Sequence, residues 1–137
     1  MRTLSTLATC ITLLAAATTA QAGCMRCDPI LNVANAPVMS ASGKALTDDQ
    51  VKSAIIRAGA ALGWQMKDAG AGTITATLLI RKHTAEIEIP YSPTSYSISY
   101  KSSVNLDEGD GQIHKNYNGW VQNLTRGINA QLSASGT

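Results

Sequence analysis

Between Thr73 and Tyr100, apolar and polar residues alternate in three consecutive blocks, and this period of two restricts the stretch to half-buried β-strands. Ile74, Ala76, Leu78 and Ile80 fall on one face, with Thr73, Thr75, Thr77 and Arg81 on the other. Ala85, Ile87, Ile89 and Tyr91 repeat the pattern with Glu86 and Glu88 outward. Tyr96, Ile98 and Tyr100 repeat it again with Ser97 and Ser99 outward. The links at 82–84 and 92–94 are short, so the neighbours run antiparallel. A meander of this kind has one greasy face that needs a cover.

Two helical periods supply it. Thr47-Asp48-Asp49-Gln50 reads as a capping box, with Leu46 and Val51 as a hydrophobic staple. Val51, Ala54, Ile55, Ala58, Ala61 and Leu62 follow at helical spacing, and Gly63 is the expected stop. The small residues Ala54, Ala58, Gly59 and Ala61 let this helix approach a sheet closely. A second helix is predicted from about Asn116 to Ser133, with Tyr117, Trp120, Val121, Leu124, Ile128 and Leu132 on its stripe and fraying from Ser133 onward. Residues 28–39 carry Pro29 and Pro37 around Leu31-Asn32-Val33, which suits a tether ending in an edge strand. Residues 64–66 suit a short strand before the turn Gly70-Ala71-Gly72. The expected fold is α+β: a two-layer sandwich of a mainly antiparallel three- to five-stranded sheet with two helices packed on one face. The other face, rich in Thr, Ser and Glu, stays in water.

The first 22 residues read as an export signal. Arg2 precedes an apolar stretch from Leu4 to Ala17 that is too short, and too often interrupted by Ser and Thr, to span a bilayer. Ala20 and Ala22 form an A-x-A site that places cleavage before Gly23 and leaves a mature chain of about 115 residues. Gly23-Cys24 also matches the end of a lipobox, in which Cys24 would be acylated, although Gln21 stands where an aliphatic residue is usual. Soluble secretion and a lipid anchor on Cys24 both stand at this point. The expected organisation is a signal peptide over 1–22, a tether and edge strand over 23–45, and one compact domain over 46–134.

Composition narrows the functions. Eleven Lys and Arg stand against nine Asp and Glu, dispersed along the chain, which argues against nucleic acid and against electrostatic membrane docking. Phe is absent, so Ile, Leu, Val, Ala, two Trp and four Tyr must fill the core. With Cys10 removed in the signal, Cys24 and Cys27 remain as a C-x-x-C pair. A thioredoxin-like site wants such a pair at a helix N-terminus after a strand, and zinc wants two more ligands; neither context is present. A local disulfide in an oxidising compartment, or one acylated and one free cysteine, suits the sequence better.

Chemistry-bearing residues are few. His83 and His114 lack metal-type spacing, and Glu86 and Glu88 lie about 7 Å apart along one strand face, where a solvated surface is the simpler reading. Asp107-Glu108-Gly109-Asp110-Gly111 departs from a calcium loop, and no G-x-S-x-G frames a serine. No catalytic, cofactor-binding or metal-binding residue is assigned, and no cofactor is expected. Tyr91, Tyr96 and Tyr100, with Tyr117 and Trp120, form either a binding surface for a peptide, glycan or protein partner or the filling of the core.

The segments 54–64, 75–78 with His83, 96–100 and 113–120 resemble a group of short exported proteins of Gram-negative bacteria, many with lipoprotein-type signals. The resemblance implies an envelope location and a compact α+β domain and transfers no functional residue. The leading expectation is an exported, non-catalytic binding or assembly domain. The alternatives are a small periplasmic hydrolase or metal-dependent enzyme using His83, His114 and nearby acids, and a thiol redox role for Cys24 and Cys27.

Overall fold

The computed structural model of the protein describes residues 23–136; the expected signal, residues 1–22, lies outside them. Nine elements follow one another: β1 (Cys27–Pro29), β2 (Val33–Pro37), α1 (Asp48–Ala61), β3 (Trp64–Gly70), β4 (Thr73–Ile80), β5 (His83–Pro90), β6 (Ser95–Val104), β7 (Gln112–His114) and α2 (Lys115–Ala134). Five strands form an antiparallel sheet in the order β2-β6-β5-β4-β3, and β1 and β7 form a separate two-strand ribbon. The class is α+β.

The alternation decides which residues are buried. Ile74, Ala76, Leu78, Ala85, Ile87, Ile89, Tyr96 and Ile98 are all buried against the helices. Their polar neighbours Thr75, Thr77, Glu86 and Glu88 are paired across strands on the opposite face. β4 and β5 pair without interruption over eight residues, from Thr73↔Pro90 to Ile80↔His83. A bulge in β6 lets Glu86 face Ser102 and Ile87 face Tyr100, which sets Lys101 as the extra residue. Each fully buried Ile contributes roughly 1.5–3 kcal/mol of apolar transfer.

The helices cap as their sequences direct. Gln50 N–H donates to Thr47 Oγ1 (3.2 Å) and Thr47 N–H donates to Gln50 Oε1 (2.9 Å), so the capping box is closed. Val51, Ala54, Ile55, Ala58 and Gly59 are buried, while Ala61 and Leu62, expected on the same stripe, are exposed where the helix ends. Gly59 is a point of close approach, since a Cβ there would collide with Met66 Sδ on β3. α2 buries Tyr117, Val121, Leu124, Ile128 and Leu132. It stays helical through Ala134 instead of fraying from Ser133, with Ala41 N–H donating to Ser133 O (3.1 Å) and Ser42 Oγ to Gly136 O (3.2 Å). The β3–β4 turn needs positive φ at Gly70, Ala71 and Gly72, and Gly72 passes close to the Tyr91 carbonyl.

Three features differ from the sequence reading. β3 is a full seven-residue edge strand paired along its length with β4. The segment 23–45 ends in the expected edge strand, β2 paired with β6, but its apolar residues Ile30, Leu31, Val33, Ala36 and Val38 also pack on the core. The β1–β7 ribbon was not expected, because strands of three residues are too short to display a period.

Candidate functional site

The ribbon is where most of the chemistry-bearing residues converge. Cys27, Asp28 and Pro29 pair with His114, Ile113 and Gln112, and the buried Ile113 ties the ribbon to the core. Buried Leu106 holds the incoming chain, its carbonyl accepting from His114 N–H (2.8 Å). The acidic turn 107–111 is closed by reciprocal backbone bonds between Gly109 and Gln112. α2 then begins without a linker. His114 is its N-cap, with Nδ1 accepting from Asn116 N–H (3.3 Å), and Lys115 N–H donates to Arg26 O (2.9 Å).

Asn118 clamps the ribbon to α2. Its Nδ2 donates to Pro29 O (2.9 Å) and its Oδ1 accepts from Leu31 N–H (3.0 Å), so one side chain satisfies the backbone on both sides of Ile30. Two open clefts flank β1. One, of about 950 Å³, is bounded by Cys24, Cys27, Arg26, Asp107, Gln112 and His114. The other, of about 480 Å³, lies between Asp28 and the first two turns of α2, including Asn116, Gly119, Trp120, Gln122 and Asn123.

Cys24 and Cys27 are joined in a disulfide with a Cα–Cα separation of 5.3 Å. The pair sits on the turn leading into β1, with Cys27 N–H donating to Cys24 O, and no helix N-terminus follows to stabilise a thiolate. Cys27 Sγ lies 3.7 Å from Asp107 O, which joins the cysteine turn to the acidic turn. A sulfur in this bond cannot also carry a lipid through a thioether, so the disulfide form and the lipid-anchored form of Cys24 are mutually exclusive.

The other sequence candidates are engaged in building the fold. His83 Nδ1 lies 2.7 Å from Asn105 O, and Asn105 Nδ2 donates to Lys82 O (2.7 Å), fixing the loop after β6 to the β4–β5 turn. Glu86 and Glu88 face solvent on the sheet, and Lys101 Nζ lies 2.9 Å from Glu86 Oε1 and 3.8 Å from Glu88 Oε1. The hydrogen bond from Lys101 holds the Glu86 carboxyl below the usual carboxylate range, against a smaller opposing effect of burial. Among the described residues, no group of three or more His, Cys, Asp or Glu is arranged to hold a metal ion.

Of the two readings of the tyrosines, core filling holds for Tyr96. Tyr91, Tyr96 and Tyr100 share the parity of the buried positions and so lie on the helix-covered face; Tyr96 is fully buried, and Tyr91 and Tyr100 are half-buried. Tyr96 OH donates to Asn129 Oδ1 (2.7 Å), and burial pushes its phenol up to about 12. Tyr100 packs edge-on against Tyr117, with ring centroids 5.6 Å apart. Trp120, counted in the sequence as part of the helix stripe, instead sits at its margin, half-buried against the core and half in the smaller cleft. The signal for that role was the amide-rich run around it, Lys115-Asn116-Tyr117-Asn118-Gly119-Trp120-Val121-Gln122-Asn123, which a hydrophobic count passes over. No protein-family model matches this chain, and neither a curated protein nor a solved structure matches it.

Proposed function

We propose that this chain is an exported, non-catalytic binding or assembly domain of a bacterial envelope, soluble outside the cytoplasm, whose working end is the β1–β7 ribbon with the adjoining turns of α2. The observation that carries this reading is the pair of open polar clefts on either side of β1, walled by side chains whose hydrogen bonds hold backbone in place. The Cys24–Cys27 disulfide supports an oxidising compartment and, by occupying Cys24, favours the soluble form over the anchored one. The short apolar stretch and A-x-A site before Gly23, and the resemblance to short exported envelope proteins, point the same way. The open sheet face is the rival surface. It is patterned with Thr, Ser and the Glu86–Lys101 pair, and its far edge strand β3 carries Lys67 and Asp68, charges that discourage strand addition.

The test is retention of a component from envelope extract on the immobilised mature chain, compared between two charge-altering variants. The double variant Gln112→Arg, Gln122→Arg places a cation at each cleft of the ribbon end, and Thr75→Arg alters the open sheet face. The reading expects a specific component retained by the wild type and by Thr75→Arg and lost by the double variant. Retention of nothing specific, retention by the double variant, or loss confined to Thr75→Arg overturns it. Intact mass of the protein from its native envelope tests the address: a mass starting at Gly23 and two protons lighter before reduction agrees, and an acylated mass starting at Cys24 does not.

A further inference from the structure

We infer that the cleft between β1 and the start of α2 is a saccharide site, taking a neutral pyranose with hydroxyl and acetamido groups against the ring of Trp120. The inference rests on the binding reading above and names the ligand class. Trp120 is half-buried, packed against the core, and is one of the residues lining the cleft. An aromatic face carries negative charge density and attracts the weakly positive C–H edge of a sugar ring.

The polar groups around the ring match a sugar and no obvious rival. Asn116 and Asn123 stand four residues before and three residues after Trp120, so they flank it on one strip of the helix. Each side-chain amide offers both a donor and an acceptor, as each sugar hydroxyl does. Asn123 Oδ1 accepts from the Arg126 guanidinium, which orients the amide and leaves its N–H₂ group as the donor for a ligand. Among the lining residues Asp28 and Lys115 balance in charge, and the nearby Arg126 guanidinium is engaged by Asn123, so the lining itself offers no cluster of cations for a phosphate or an anionic headgroup. Trp120 is the one large apolar side chain in the lining, too little to anchor a hydrophobic peptide.

The walls are also set in advance. Asn118 spends both ends of its amide on Pro29 O and Leu31 N–H, and Lys115 N–H is bonded to Arg26 O, so the spacing of β1 and α2 is fixed by bonds within the chain. A ligand that meets preset walls loses less ordering free energy on binding.

The two tryptophans give the test an internal control, since Trp64 is 4% exposed and packed in the core while Trp120 lines the cleft. The mature full-length protein, ¹⁵N-labelled, is titrated with triacetylchitotriose while both indole N–H resonances are followed, and separately with inorganic phosphate. The expected result is a saturable shift of the Trp120 resonance with Trp64 unmoved, a dissociation constant on the order of 1 mM as befits a shallow single-ring site, and no response to phosphate. The double variant Asn116→Ala, Asn123→Ala removes both flanking amides at exposed helical positions where Ala is the better helix former, and is expected to weaken binding at least tenfold while keeping the melting temperature. Trp120→Leu, followed through the backbone amides of Asn116 and Asn123, is expected to abolish it. No saturable Trp120 shift, an equal shift with phosphate, or undiminished binding by the folded double variant overturns the inference. If the titration is blank while the ribbon end still retains an envelope component, the saccharide assignment alone falls; if both are blank, the binding reading falls with it.

Discussion

The five-strand sheet and the β1–β7 ribbon belong to one core but are held by different physics. In the sheet, β4, β5 and β6 pair over long registers, and alternate residues are buried from Ile74 to Leu78, from Ala85 to Ile89 and at Tyr96 and Ile98, so pairing and burial reinforce each other there. In the ribbon three pairs are made and Ile113 is the one fully buried side chain among them. Its place is kept instead by discrete links: the disulfide, the Asn118 clamp and the His114 cap. Distributed apolar burial makes a region hard to open and leaves no room for a ligand. Discrete polar links hold a surface in shape while leaving polar clefts beside it, which is why the working end is sought at the ribbon.

This contrast is most sharply tested by one cut in each region. Ile87 is fully buried at the middle of β5, between paired strands on both sides, so Ile87→Ala is expected to cost about 3 kcal/mol of global stability through lost transfer and a residual cavity. Urea unfolding measures it, with an unchanged m-value. Asn118→Ala is expected to cost about 1–2 kcal/mol, because it strands Pro29 O and Leu31 N–H, and most of that loss is local. Amide exchange should show faster opening around β1 and β7 with the β4–β5 amides nearly unchanged. Global loss of protection in Asn118→Ala would erase the distinction between the two regions.

The parts visible in sequence are those whose information is local. Period two from Ile74 to Ile98 names the buried residues directly, and the Thr47 box places the start of α1 because cap and partner lie three residues apart. The same parity decided the tyrosines: clustering suggested an outward patch, yet Tyr96 shares the parity of Ile98 and is buried with it. The ribbon was hidden because its pairing joins Cys27 to His114 across most of the chain, through segments too short to carry a pattern. Histidine is outside the usual capping set, so His114 gave no helix-start signal. Trp120 fits the helical stripe by spacing, and only the arrival of β1 beside α2 makes it a cleft wall.

Two buried tyrosines sharpen the comparison within the core itself. Tyr96 OH is bonded to Asn129, while Tyr117 OH is buried without a partner. Tyr96→Phe is expected to destabilise by about 1 kcal/mol, a modest cost because Asn129 is exposed and rehydrates. Tyr117→Phe is expected to stabilise by about 1 kcal/mol, since it deletes an unsatisfied buried hydroxyl and keeps the ring against Tyr100. Opposite signs in thermal melts support this account; a destabilised Tyr117→Phe would mean that its hydroxyl has a partner. Burial raises both phenols, Tyr96 to about 12. A raised folded value means their contribution is complete below the unfolded value near 10 and is lost as pH rises through the folded one. Absorbance of tyrosinate should therefore show a component that ionises only with alkaline unfolding and is missing from the double variant Tyr96→Phe, Tyr117→Phe.

The smallest expected effect lies on the open sheet face, where Glu86, Lys101 and Ser102 form a network in water. Lys101 lowers the Glu86 carboxyl below its ordinary 4.5, and Glu86 raises the Lys101 ammonium above 10.5. The depressed acid stabilises the fold above 4.5, and that contribution is lost as pH falls through the lower folded value. The raised base stabilises below 10.5, and that contribution is lost as pH rises through the higher folded value. Glu86→Gln should therefore melt slightly below wild type at neutral pH, with the gap closing in acid and shrinking in 1 M salt, where the screening length is about 3 Å. A gap that ignores both pH and salt would assign the effect to the Ser102 hydrogen bond and strand packing. The charged network would then add nothing to a sheet already held by its other face.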